Sequence, residues 1–368
     1  MSADLTTRVG TLTLKNPLIA APAEHLIEEP GVRRAIAAGV GAVVVKSTNE
    51  REGGKDQLQR AEFAVLDELW RPVKWDAAAP MSATIATRSG LTPQSFDAWL
   101  EQTARLDRTA AKSDCHAVAS LILSDLDEAV RMARLIEQAG IRVLEFNIGT
   151  PYASVAAKGN VTTELDPARI SVMVSTMRQA IRLPLWVKLT GQSERVPELA
   201  RAAFDAGADS VVMAGRLLGF IPDVETMAPL LGTSLGIGGF WNLPITCHWL
   251  ASTRAALGKD KPLIGINGAQ SGLDIARMML AGASAVAMAS PVMLRGFGLL
   301  EDSLREFSDY VSRQNLRAAD LIGRAADQRK SFADMPHLEP KAREMLDELA
   351  WWVQALKVAR TEPELAAA

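Results

Sequence analysis

Four times in this chain a helix-like segment ends in Ala-Gly and runs straight into a short apolar stretch. The four are AAGVGAVVVK (37–46), QAGIRVLEFN (138–147), DAGADSVVMA (205–214) and LAGASAVAMA (280–289). Gly supplies the left-handed backbone that stops a helix. The Val, Ile and Leu that follow suit a strand covered on both faces. In every copy the residue seven places after the Gly closes the strand: Lys46, Asn147, Ala214 and Ala289. A second kind of strand opens at Pro-Leu, in NPLIAAPA (16–23), LPLWVKLT (183–190) and KPLIGING (261–268). Pro is tolerated as the first residue of a strand. With AVASLIL (117–123) this makes eight candidate strands, near 17–23, 42–46, 117–122, 142–147, 184–189, 210–214, 262–267 and 284–289.

Helical signals separate them. Ser124 and Asp127 have capping-box spacing before a segment whose Leu126, Val130, Ala133 and Ile136 share a face, and Ser271 with Asp274 repeats the device. Eight strands alternating with helices in 368 residues predict an α/β fold, a closed (β/α)8 TIM barrel. An open doubly wound sheet is the alternative, weakened by the absence of any G-x-G-x-x-G. Residues 47–116 are too long for one connection, so a lid or hairpin is expected after strand two, around MSATIATRSG. The expected division is a barrel over 1–315 and a C-terminal helical extension over 316–368, packed on the barrel. Leu346, Leu349, Val353 and Leu356 form that extension's apolar stripe.

Composition then excludes several classes. The net charge of −3 carries no basic block, so nucleic acid is not an expected partner. Two distant cysteines, Cys115 and Cys247, allow neither a disulfide framework nor a Cys-ligated metal or iron–sulfur site, and no metal is expected. The start MSADLTTRVG lacks a signal-peptide pattern. The longest uncharged stretch, 226–253, is interrupted by Gly and Pro and cannot span lipid as one helix. A cytoplasmic protein with no membrane partner is the expectation.

A barrel places its chemistry at the carboxyl ends of its strands. Strand two ends at Lys46-Ser47, strand four at Asn147-Ile148-Gly149-Thr150-Pro151-Tyr152, and strand five carries Lys188. Strands seven and eight end in Asn267-Gly268 and Ala289-Ser290. Small residues there let backbone N–H groups approach an anion, the usual phosphate position of a barrel. Tight turns alone would also use such residues. Two lysines closing apolar strands each need an anionic or electron-rich partner, and a structural ion pair is the plainer explanation of either. Together with the phosphate cradle they fit flavin mononucleotide, FMN, with a lysine at the N1/O2 edge of its ring.

At this point the chain resembles the dihydroorotate dehydrogenase family of FMN-dependent barrels, and also the flavin part of the dihydropyrimidine dehydrogenases. The resemblance spans about residues 8–315 and runs, in the family's order, through LKNPLIAAPA, GAVVVKSTNEREG, LEFNIGTPY, PLWVKLT, AGADSVVMAG and LIGINGAQSGLDIARMMLAGASAVAMAS. It implies that Lys46, Ser47 and Asn147 contact flavin and that Lys188 sits at its N1/O2 edge. Ala21 and Ala23 would lie against the ring system. Gly238, Gly239, Asn267, Gly268, Ala289 and Ser290 would surround the phosphate. The family's general base, a Cys or Ser in patterns like N-x-S-C-P-N, falls on Thr150 here, with Lys46 or His25 as helpers. Substrate contacts fall on Asn147, Tyr152 and Thr87; His25 is added from its place just after strand one, at the same mouth, with a solvated or structural histidine as the alternative.

Several of the asparagines with which the family clamps orotate are replaced, by Thr87, by Tyr152, and by Ala214 or Gly215. A site that lacks partners for a pyrimidine dione's polar edge binds it poorly. The expected activity is therefore hydride transfer at a CH–CH group of a small cyclic, pyrimidine-like substrate other than dihydroorotate. The resemblance further implies a soluble electron acceptor or donor and a homodimer. Two alternatives stand beside it: an FMN-binding subunit with altered catalysis, and a non-redox phosphate-binding barrel in which Lys188 forms a Schiff base.

Overall fold

A computed structural model describes residues 3–51, 61–76, 78–149, 164–213, 215, 217–330 and 338–361. Eight parallel strands close into a barrel: β1 Leu18–Ala20, β2 Ala42–Val44, β3 His116–Ile122, β4 Leu144–Asn147, β5 Leu185–Lys188, β6 Ser210–Met213, β7 Leu263–Ile266 and β8 Ala283–Met288. All eight candidate strands of the sequence form, and each pairs with its neighbours in chain order until β8 meets β1. Ala214, expected to close β6, lies outside the described residues. The helices between strands are α1 Glu29–Ala37, α2 Phe96–Ala111, α3 Leu126–Gln138, α4 Pro167–Ala180, α5 Val196–Asp205, α6 Leu243–Leu257 and α7 Gly272–Leu280. The glycines of the four-fold signal, Gly39, Gly140, Gly207 and Gly282, all have positive φ, between 77° and 122°. Each therefore ends its helix in a conformation that a Cβ would strain.

Ser271 caps α7 as its spacing predicts, accepting from the Asp274 N–H. At α3 the cap moves by one residue: Asp125, not Ser124, accepts from Glu128 N–H at 3.1 Å. A carboxylate at that position also meets the positive end of the helix dipole, which a hydroxyl cannot do as well.

Two apolar layers hold the barrel. Inside it, Ile19, Val44, Val118, Trp186, Val212, Ile264 and Ala285 fill the interior. A hairpin of Thr7–Val9 and Leu12–Leu14 adds Val9 and Leu14 to the same cluster. Its Thr7 hydroxyl donates to the Ser284 carbonyl at 2.7 Å, so the hairpin closes the amino end. Outside, helix side chains such as Trp99, Ile136, Met177 and Phe307 cover the strands. The carboxyl end is the open one.

Above that end lies a separate five-stranded antiparallel sheet. Its order is Leu217–Gly219, Leu235–Gly238, Thr84–Arg88, Glu62–Leu66 and Pro72–Val73. The hairpin expected after β2 is thus joined by a second insertion after β6, which holds the first part of the uncharged stretch; the rest of that stretch runs into α6. The first compact unit reaches Asp327, beyond residue 315, because short turns there hydrogen-bond back to it: Ala318 N–H to the Asp4 carbonyl, and Gly323 N–H to that of Met279. Residues 328–368 form a second unit, whose helix Leu338–Thr361 includes the predicted apolar stripe.

Candidate active site

Strand register places the polar strand ends side by side. Lys188 at the end of β5 is level with Asn147 on β4 and Val212 on β6. Lys46 follows β2, with its backbone N–H on the Leu26 carbonyl and its carbonyl accepting from the Trp99 indole at 2.9 Å. Both lysines are nearly buried and line one cavity of about 1010 Å³, counting its open mouth.

Each lysine has a carboxylate. Lys188 Nζ lies 3.7 Å from Glu145 Oε1. Ser120 Oγ donates to the same oxygen at 2.9 Å, and Ser47 Oγ is 2.8 Å from Ser120 Oγ. This chain of polar groups runs below the cavity between β2 and β5. Lys46 Nζ donates to Glu24 Oε1 at 2.7 Å and to Ser89 Oγ at 3.2 Å, and the Ser89 hydroxyl donates to the same Glu24 oxygen. Burial alone would raise the Glu24 carboxyl. The Lys46 ammonium and the hydrogen bonds from Lys46 and Ser89 outweigh it and hold the group at about 2.

The opposite wall is made of small residues and backbone. Gly238 and Gly239 end a lid strand, Asn267 and Gly268 follow β7, and Ala289 and Ser290 follow β8; all six line the cavity. Asn267 and Gly268 both have positive φ, 74° and 108°. A Cβ on Gly268 would stand 2.3 Å from the Leu243 backbone nitrogen at the start of α6, and one on Gly238 would stand 2.8 Å from Asn267 Oδ1. The turn is therefore closed to any larger residue. The lid supplies the remaining wall: alternation along Thr84–Arg88 turns Ile85, Thr87 and then Ser89 inward.

This arrangement fits FMN on an observation of its own. Thr87 Oγ1, Asn267 Nδ2 and Gln270 Oε1 are buried, line the cavity and have no hydrogen-bond partner. Buried polar atoms without partners are costly, so three around one cavity mark a polar ligand. The small-residue wall suits a phosphate, and two lysines reach the same space.

Of the residues selected by sequence, Ala23, Lys46, Ser47, Thr87, Asn147, Lys188 and the six glycine-rich wall residues come together here. Thr150 and Tyr152 lie outside the described residues. Ala21 and His25 do not reach the cavity. Ala21 is fully buried in the interior cluster of the barrel, one pleat below Ala23. His25 shares the turn Glu24–Leu26 with Glu24, and since successive residues of a tight turn diverge, Glu24 faces the cavity and His25 faces away. Its ring packs 5.6 Å from that of Phe297, with both nitrogens buried and unpartnered. Burial, only partly offset by Glu24, pushes its imidazole down to about 4. Ser89 and Gln270 are polar wall residues that the strand-end rule did not select. The inward period of Ile85, Thr87 and Ser89 was the available signal for the first, and the step from Asn267 to the Ser271 cap for the second.

A closed barrel with a small-residue wall and two ion-paired lysines at one mouth suits a flavin-dependent oxidoreductase of the barrel class. The chain belongs to the dihydroorotate dehydrogenase family, whose sequence model matches residues 78–310. It is similar to the catalytic subunit of dihydroorotate dehydrogenase B (NAD(+)) of Methanocaldococcus jannaschii, 26% identical over 329 residues, covering 87% of this chain and 98% of that one. It is also similar to dihydroorotate dehydrogenase A (fumarate) of Lactobacillus helveticus, 27% identical over 284 residues, covering 76% and 84%. The protein is accordingly an FMN-dependent oxidoreductase acting on a CH–CH group. Among the described residues no helix is long and apolar enough to cross a membrane.

Proposed function

We propose that this enzyme moves a hydride between N5 of FMN and a small cyclic, pyrimidine-like substrate other than dihydroorotate itself. The observation that carries the substrate reading is the lid edge of the cavity. There the buried Thr87 hydroxyl has no partner, and the nearby lysine is already held by Glu24. The names of the relatives make dihydroorotate the first compound to assay beside it.

FMN, when bound, supplies the hydride chemistry. The roles of the protein follow from where its groups stand. Gly238, Gly239, Asn267, Gly268, Ala289 and Ser290 would hold the phosphate through backbone N–H groups and short side chains. Lys188, fixed by Glu145, would place positive charge where the reduced ring becomes anionic, and Ser47 would add a hydrogen bond nearby. Ala23, Ile85, Ile122 and Ile266 line the cavity with apolar surface and would keep water from the reacting ring. Asn147, Thr87 and Tyr152 would orient the substrate. Its proton would pass to or from the Thr150 hydroxyl, with the Lys46 ammonium lowering the cost of negative charge on the oxygen. Lys188 engaged by a buried carboxylate differs from the desolvated amine that a Schiff-base barrel needs, which favours the flavin reading over that alternative. A soluble electron acceptor or donor, a homodimeric assembly and a cytoplasmic location complete the proposal.

The test is anaerobic. The FMN-loaded protein is mixed in turn with dihydroorotate and with other reduced ring amides. Bleaching of the flavin by one of the others, faster than by dihydroorotate, is the expected outcome. Bleaching by dihydroorotate alone overturns the substrate reading.

A further inference from the structure

We infer that Glu24 is a specificity-determining residue, which closes this cavity to ring substrates bearing a carboxylate and selects neutral ones that present an N–H. The inference rests on the reading of the cavity as a flavin-and-substrate site.

Three elements converge to build this corner. Glu24 comes from the turn after β1, Lys46 from the end of β2, and Ser89 from the end of the lid strand Thr84–Arg88. All three line the cavity. The side chains of Lys46 and Glu24 are only 9% and 22% exposed, so their pairing at 2.7 Å is weakly screened by solvent. Ser89 ties the pair to the lid by hydrogen bonds to both partners.

The charge of the wall decides what can enter. Its charged members among the described residues are Lys46, Lys188 and Glu24, and Lys188 has Glu145 beneath it. Each ammonium therefore already faces a carboxylate of the protein. A carboxylate on the substrate, brought to Lys46, would meet Glu24 across the same ammonium, a like-charge contact in a poorly solvated site. Specificity of this kind is built by repulsion as much as by attraction. Lys46 and Ser89 also keep Glu24 ionised, so it offers acceptors only. Both of those side-chain donors go to Oε1, and among the described residues no other side chain donates to Oε2, which would accept from a ligand N–H. Thr87, two residues before Ser89 on the same inward face, adds a buried hydroxyl without a partner, able to donate to a carbonyl. An acceptor and a hydroxyl on one edge complement the N–H and C=O of a lactam or cyclic ureide.

Two rings that differ only in the carboxylate make the test: uracil and orotate. Each is titrated into the FMN-loaded protein, and binding is read from the shift of the flavin absorbance, without turnover. The wild-type protein is expected to bind uracil at least tenfold more tightly than orotate. Glu24→Gln keeps the shape and removes the charge; it should tighten orotate tenfold or more and shift the orotate-to-uracil ratio by at least that factor. A purely structural role for Glu24 would weaken both ligands alike and leave the ratio in place. Orotate bound more tightly than uracil by the wild type, an unchanged ratio in Glu24→Gln, or binding of neither ring by flavin-loaded protein each overturns the inference. If Glu24→Gln does not fold, the wild-type ratio alone decides. Protein that takes up no FMN would instead sink the flavin reading itself, so the two failures are told apart.

Discussion

The two walls of the cavity are built on opposite principles. The wall of Gly238–Gly239, Asn267–Gly268 and Ala289–Ser290 is backbone and small side chains, and its shape is fixed by close approach: Gly268 has no room for a Cβ against α6. The wall of Glu24, Lys46, Thr87 and Ser89 is side-chain chemistry, carried by three unrelated segments and held by charge and hydrogen bonds. The first can accept one shape of anion and little else. The second can change its ligand by one substitution without disturbing a strand.

The backbone wall is most sensitive at Gly268. Gly268→Val forces a positive-φ residue into the α6 backbone, so FMN retention should fall more than a thousandfold, roughly 4 kcal/mol or more. Fluorescence titration of the purified variant with FMN reads this directly, and retention of tight binding would show that the small-residue wall is not the cradle. Next is Lys188→Met, which leaves Glu145 buried beside Ser120 without its cation. The expected loss is about 3–5 kcal/mol of stability. Most of it should return in Lys188→Met combined with Glu145→Gln, as measured by denaturant unfolding.

A third effect follows from His25, which stands behind the side-chain wall. Its folded value of about 4 lies below the ordinary 6.5, so the unfolded chain binds more protons between those limits. Stability is therefore full above pH 6.5 and falls as pH drops towards 4, by about 3 kcal/mol. In His25→Phe this slope should disappear; an unchanged slope would place the titrating group elsewhere. The smallest effect is expected at Thr87. Its hydroxyl has no partner in the protein, so Thr87→Val should leave stability within about 0.5 kcal/mol of wild type. Ligand affinity should fall about tenfold, the worth of one hydrogen bond. Equal losses of stability and affinity would make Thr87 a structural residue.

The backbone wall was legible in the sequence because glycines and strand ends are local signals. Gly282 and Gly207 stop their helices, the strand register follows, and Asn267-Gly268 and Ala289-Ser290 fall at the carboxyl end. The side-chain wall was legible only in part. Lys46 stands at a strand end, but its partners Glu24 and Ser89 lie 22 and 43 residues away, one on the turn after β1 and the other at the end of the lid strand. No local periodicity encodes that encounter. His25 fails for a related reason: it is adjacent to Glu24 in sequence, yet turn geometry sends the two side chains to opposite sides. Asp125 took the α3 cap from Ser124 because two neighbouring cap residues compete and the charge–dipole contact decides.

One cavity is to receive both the flavin ring and its phosphate. Equilibrium titration of flavin-stripped protein with FMN tests this most directly, with riboflavin, which lacks the phosphate, as the comparison. One FMN bound per chain with a perturbed visible spectrum, and riboflavin bound far more weakly, is the predicted result. Protein that stays colourless in FMN, or that binds riboflavin equally well, would contradict it.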